Sequence, residues 1–253
     1  MVRLYVEHGC FGVQPVNAAD RKLEGADVLR SLLSDTEVLF LDFDGPVCSV
    51  FAGFPAPVVA GQLREVLHES GLSSLPAEVQ GASDPFDVLR YAATCGPDQL
   101  RYVEAALRAH EVEAVMSAAP TPYSRELILE WTNSGRDLAI VSNNSKAAVE
   151  TYLDLQGIRS YVRVAVGRTE ADPSLLKPHP HLVEVACELT NVTPDRCTLV
   201  GDSVADIEAS RAVGVPAIAF ANKPGKANQL REARPAAIVD SIAVILEALK
   251  NDC

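Results

Sequence analysis

Nowhere does this sequence approach the roughly 18–20 consecutive apolar residues that span a bilayer, so no transmembrane helix is expected. The first fifteen residues, MVRLYVEHGCFGVQP, interrupt any apolar run with charges and glycines, so they lack the core of a secretory signal. Six cysteines are present, but no C-x-x-C pair and no zinc-like spacing joins them. They read as free thiols in a reducing, cytoplasmic setting. Positive charge is also scarce. Lys and Arg number 22 against 34 Asp and Glu, a formal net charge of −12 that repels phosphate backbones and anionic membranes. Nucleic acid and membrane surfaces are therefore excluded as expected partners. Small anions are not, because one bound cation can reverse the sign within a pocket. No internal repeat or low-complexity tract appears, and no feature specifies an oligomeric state.

What is there is α/β patterning. Five short continuous apolar segments recur: VLFLD (38–42), LAIVS (138–142), VRVAV (162–166), CTLVG (197–201) and PAIAF (216–220). Continuous rather than alternating runs fit parallel strands buried on both faces. Helical patterns follow at 146–156, 181–189, 204–213 and 229–233, with Gly157 and Gly214 placed for C-caps. This alternation predicts a doubly wound, Rossmann-like parallel sheet. One interval departs from it. Between the first strand and Pro120 the pattern is helical, at 58–69, 85–93 and 98–116, punctuated by Gly71, Gly81 and Gly96-Pro97. The expected organisation is an N-terminal extension with a short helix (1–35), an α/β core (36–50 and 117–253) and an inserted helical cap (51–116). Val28, Leu29, Leu32 and Leu33 make the apolar face of the short helix.

Chemistry-bearing side chains gather at the carboxyl ends of the expected strands, where open α/β sheets bind ligands. Asp42 ends the first strand and Asp44 follows in DFDG. Ser142 and Asn143 end the second. Asp202 and Asp206 follow the fourth in GDSVAD, and Lys177 precedes it in LLKPHP. Asp42 and Asp44 lie two apart on an extended segment, so their carboxylates point the same way and repel unless a cation intervenes. With Asp202 they form an oxygen-only donor set suited to Mg²⁺. Gly45 allows close backbone approach and offers an amide to a phosphate oxygen, Ser142 a hydroxyl, and Lys177 a mobile positive charge. His179 and His181 read as exposed loop residues, Cys48 as packing, and Trp131 as core. Phe51, Phe54, Pro55 and Pro57 form an apolar entrance to the insert.

In this order the segments DFDGPV, VSNN, LLKPHP and GDSVAD resemble the four motifs of the haloacid dehalogenase-like hydrolases, over residues 38–250, with the insert matching that family's small α-helical cap. The resemblance, to the phosphoglycolate phosphatase-like branch, implies a Mg²⁺-dependent phosphatase acting on a small phosphorylated metabolite through an aspartyl-phosphate. It implies Asp42 as nucleophile and Asp44 as acid and base. Asp42, the Asp44 carbonyl and Asp202 would hold the metal, with Asp206 supporting it. Gly45, Ser142, Asn143 and Lys177 would hold the phosphate. Pro46 and Ser49 replace the Thr and Asp usual after the first motif. An acid at position 44 disfavours the dehalogenase and phosphonatase branches. A phosphomutase on the same scaffold, or a non-catalytic binder with a relict site, are the rival readings.

Overall fold

The computed structural model describes residues 18–250, with side chains from residue 27 onward. Its central sheet has six parallel strands: Val38–Leu41 (β1), Asp137–Ser145 (β4), Val164–Arg168 (β5), Cys197–Gly201 (β6), Ala217–Phe220 (β7) and Ala237–Val239 (β8). Their order is β5-β4-β1-β6-β7-β8. β1 is central, with Leu41 in register with Ile140 of β4 and Val200 of β6. Its four residues are all buried: Val38 and Phe40 face one layer, Leu39 and Leu41 the other. That two-sided burial is why the strand reads as an unbroken apolar run. A second, two-stranded antiparallel ribbon pairs Cys48–Ser49 (β2) with Ala119–Pro120 (β3).

Everything regular between β2 and β3 is helical: Ala56–Glu69 (α2), Ala77–Gln80 (α3), Pro85–Cys95 (α4) and Pro97–Val115 (α5). Proline opens or immediately precedes each of these helices, where its missing N–H costs nothing. Leu63 of α2, Leu89 of α4 and Leu107 of α5 are buried in the same apolar cluster as Phe40, Ala139 and Val183. α5 also packs on the helix Lys146–Leu155 (α7) and on β4. The remaining helices flank the sheet: Ala18–Asp35 (α1), Ser124–Asn133 (α6), His181–Thr190 (α8), Val204–Val213 (α9), Lys226–Glu232 (α10) and Ile242–Lys250 (α11). Among the described residues no helix is long and apolar enough to cross a membrane.

Several boundaries differ from expectation. β4 runs on to Ser145, and its pairing with β5 slips between Val141 and Ser145, so the polar SNNS segment stays in the sheet. β5 begins at Val164 rather than Val162 and ends on a charged residue, Arg168. The three-residue β8 carried no usable periodicity and was not anticipated; α10 starts three residues before the expected 229. On α1, Leu29 and Leu33 are buried but Val28 is 52% exposed, so the apolar face is narrower than the sequence suggested. Residues 1–17, including Cys10, and Cys253 lie outside the described residues.

Candidate active site

Asp42 leaves the end of β1, and its amide donates to the Val200 carbonyl of β6 at 2.9 Å. Its side chain is buried. Oδ1 accepts from Lys177 Nζ at 2.8 Å, and Oδ2 has no hydrogen-bond partner among the described residues. Lys177 is equally buried and donates also to the Val141 carbonyl at 2.9 Å and to Asp206 Oδ1 at 2.5 Å. Burial alone would lower the Lys177 pKa, but the Asp206 and Asp42 carboxylates outweigh it and raise it, so the ammonium stays charged. Asp42 is pushed well above the usual carboxylate range, first by burial and next by the charge of Asp206.

Asp206 is fixed by its own helix. Ser203 caps α9 and accepts from the Asp206 amide at 3.2 Å, while Asp206 Oδ2 accepts from the Ser203 amide at 3.0 Å. A Cβ on Gly201 would lie 2.3 Å from Asp206 Cβ, so only glycine there lets the carboxylate approach the strand end. With Oδ1 on Lys177 and Oδ2 on Ser203, Asp206 is already engaged at both oxygens. Asp202 is less committed: Oδ2 accepts from Asn222 Nδ2 at 2.9 Å and Lys226 Nζ at 2.5 Å, leaving Oδ1 without a hydrogen bond among the described residues. Carboxylate oxygens of Asp42, Asp202 and Asp206 lie within 4.8 Å of one another. This all-oxygen donor set, with surplus negative charge and open oxygens on Asp42 and Asp202, fits a hard divalent cation.

Asp44 and Asp202 line a cavity of about 650 Å³, walled by Phe51, Pro55, Thr121 and Lys223 among others. Asp44 Oδ1 accepts from the Val50 amide at 2.9 Å. Burial pushes its carboxyl up to about 6, with the charge of Asp202 adding and the Val50 amide, Lys223 and Lys226 opposing. A carboxyl poised near neutrality can both give and take a proton. Cys48, beside it in sequence, is fully buried and its thiol is raised by burial, which suits packing.

Three expected phosphate contacts sit differently. The Gly45 amide donates to the Cys48 carbonyl at 2.7 Å, so it is not free for an anion. Gly45 instead matters sterically: its φ is +125°, and a Cβ would lie 2.5 Å from Asp202 Cγ. Asn143 spends its amide on the Lys177 main chain, accepting from its N–H at 2.8 Å and donating to its carbonyl at 3.1 Å. It therefore holds the lysine loop. Ser142, buried within β4 where its apolar run gives way to SNNS, donates to Asn144 Oδ1 at 3.2 Å and accepts from the Asn144 amide at 3.1 Å. Of the apolar entrance, Phe51, Pro55 and Pro57 line the cavity, and Phe54 packs on His110 instead. Sequence reasoning missed Asn222, Lys223 and Lys226, although the loop ANKPGK follows a strand end as the other site residues do.

A family model described as haloacid dehalogenase-like hydrolase matches residues 88–220, just over half of the chain. The match includes Ser142, Lys177, Asp202 and Asp206 but begins after Asp42 and Asp44. Phosphoglycolate phosphatase of Salmonella paratyphi A is 29% identical over 116 residues, 46% of this chain and 45% of that protein. The "phosphoglycolate phosphatase, plasmid" of Cupriavidus necator is 37% identical over 82 residues, 32% of this chain and 35% of its own. The chain spans about half the length, or less, of these curated relatives. Among solved structures, CbbY from Rhodobacter sphaeroides in complex with phosphate superposes with a TM-score of 0.61 at 18% identity, covering 85% of this chain and 99% of that one. At that identity the likeness is one of fold.

Proposed function

The chain belongs to the haloacid dehalogenase-like hydrolases, and on that premise we propose that it is a Mg²⁺-dependent phosphatase of small phosphate monoesters, working through a phosphorylated Asp42. The observation that carries this reading is the strand-end cluster. Asp42 is held at one oxygen by Lys177 and has no partner at the other among the described residues, and its carboxylate lies within 4.8 Å of that of Asp202, which lines a cavity together with the raised Asp44.

Lys177 fixes the Asp42 carboxylate so that Oδ2 attacks phosphorus, splitting hydrolysis into two displacements. Asp44, protonated, gives its proton to the departing oxygen; ionised, it takes one from the water that cleaves the acyl-phosphate. Asp42, the Asp44 carbonyl and Asp202 would hold Mg²⁺, which when bound supplies charge neutralisation for the transferring phosphoryl oxygens. Asp206 acts on this set through Lys177 and Ser203. Lys177, its three N–H bonds taken by Asp42, Val141 and Asp206, would serve the phosphoryl group by its charge, Ser142 would reach it by turning its hydroxyl away from Asn144, and Asn143 and Gly45 serve by position.

In this reading residues 51–116, carrying α2–α5, are a cap on a core of 36–50 and 117–253. The cap restricts substrates to metabolite size and excludes water from the reacting groups. The acidic composition turns away nucleic acid and membranes. Four free cysteines, Cys48, Cys95, Cys187 and Cys197, support a reducing, cytoplasmic setting. The names of the relatives make phosphoglycolate the first ester to try.

The test is phosphate release across a panel of phosphorylated metabolites, a phosphopeptide and a phosphorylated oligonucleotide, with and without EDTA. Release is expected from small esters only, lost on chelation and restored by Mg²⁺. Isomerised sugar phosphates without release would mean a phosphomutase, and no turnover of any ester a non-catalytic protein.

A further inference from the structure

A second group of charges lies where the inserted helices meet the sheet. Glu111 of α5 is fully buried and Arg168, ending β5, is 3% exposed. They form a forked pair: Arg168 Nη1 donates to Glu111 Oε1 at 3.1 Å and Nη2 to Oε2 at 2.9 Å. The same carboxylate accepts from the Ser145 amide at 2.8 Å and from Asn144 Nδ2 at 3.3 Å. Arg168 Nη1 also donates to the Asn143 carbonyl at 2.9 Å. The Asn143 carbonyl, the Asn144 side-chain amide and the Ser145 N–H are thus tied, directly or through Arg168, to a glutamate on the insert.

We propose that Glu111 and Arg168 are positioning residues that lock the Ser142–Ser145 segment in its phosphate-binding shape, making turnover depend on α5 being docked. This rests on the phosphate-binding role proposed for Ser142 and Lys177. Asn144, held by Glu111, both accepts from and donates to Ser142 Oγ; Asn143, held by Arg168 at its carbonyl, clamps the Lys177 main chain. Gly167 supports the arrangement from β5. A Cβ there would lie 2.8 Å from the Asn144 carbonyl oxygen and from the Lys146 nitrogen, so glycine lets the strand press against the loop and deliver Arg168. On its outer side Arg168 reaches two further insert positions. Glu104 Oε1 lies 3.5 Å from Nε, and the Phe86 ring centroid of α4 is 5.7 Å from Cζ. The insert therefore grips the phosphate segment through one arginine.

A buried ion pair is not needed for folding as such, since well-packed apolar replacements of similar volume are often as stable. In E111L/R168M, though, the Ser145 N–H, the Asn144 Nδ2 and the Asn143 carbonyl lose buried partners, so the melting temperature is expected to fall, and kinetics measured well below it on folded protein separate positioning from structure. The kcat of this variant on the best ester of the panel should fall about 10–100-fold with little change in KM, the cost of misplacing catalytic groups by an ångström or so. Exchange of the Ser145 amide, followed by NMR, should accelerate at least about tenfold as its acceptor is lost. Glu111→Gln keeps one acceptor oxygen for that amide and should show a smaller fall in kcat. A folded E111L/R168M protein with wild-type kcat and unchanged Ser145 exchange overturns the proposal. If that variant does not fold, wild-type values of both in Glu111→Gln overturn it. A wild-type protein that turns over no ester refutes the phosphatase reading, and Ser145 exchange still decides whether the pair holds the loop.

Discussion

Two buried clusters in this molecule set several carboxylates against one central cation, yet they leave different things undone. Around Arg168, Glu111 is saturated: its two oxygens meet the guanidinium, the Asn144 amide and the Ser145 N–H. Around Lys177, Asp206 is likewise saturated, but among the described residues Asp42 and Asp202 each keep an oxygen without a partner, and Asp202 lines an open cavity. The Arg168 cluster is not wholly satisfied either, since Glu104 Oε1 and Arg168 Nε are buried without a hydrogen bond among the described residues, but these two face each other at 3.5 Å. The unfilled Asp202 oxygen instead belongs to a residue that lines a cavity, and an unfilled acceptor beside open space marks a place where something else binds. The closed cluster sets geometry, and the open one is left to do chemistry.

The comparison sharpens most at Asp44. Asp44→Asn should slow turnover of an ester with a poor leaving group by about 10²–10⁴-fold and of p-nitrophenyl phosphate by much less, because only the poor leaving group needs its proton. Equal slowing, or none, for both would remove the acid role. Gly45→Ala tests whether the open oxygens need their present spacing. The methyl group meets Asp202 Cγ, so Mg²⁺ affinity measured by calorimetry should weaken roughly 10–100-fold, as for other groups that orient a ligand. Unchanged affinity would show that Asp202 does not hold the ion. The smallest effect concerns pH. Asp44 titrates near 6 in the folded protein against 3.8 ordinarily, so the folded state holds this proton more tightly. The associated stabilisation is complete below about 3.8 and lost as pH rises through 6. In EDTA, Asp44→Asn should therefore gain about 2 kcal/mol on wild type between pH 4 and pH 7.5. Denaturant curves that shift in parallel would contradict the raised carboxyl.

The two clusters also differ in how far the sequence announces them. Asp42, Lys177 and Asp202 sit at strand ends or in loops, Ser142 closes the apolar part of β4 and Asp206 lies in the first turn of α9, and the close of an apolar run is visible in sequence. Glu111 and Arg168 are 57 positions apart, and no local pattern links them. A faint signal did exist. Glu104, Leu107, Glu111 and Ala114 share one helical face, so two glutamates lie in an otherwise apolar stripe, and Arg168 closes the run VAVGR. The hydrogen bonding of Gly45 and Asn143 could not be read at all, because it depends on which neighbour reaches each amide first. The central sheet was legible except at β8, three residues long and, among the described residues, paired only with β7.

The central claim is that the unfilled Asp42 oxygen takes up a phosphoryl group. The direct measurement is rapid acid quench of the enzyme turning over a ³²P-labelled ester, followed by peptide mapping. Label is expected on the peptide containing Asp42, accumulating further in Asp44→Asn and absent in a folded Asp42→Asn protein. Steady phosphate release with no labelled enzyme, or label on another residue, would contradict the account.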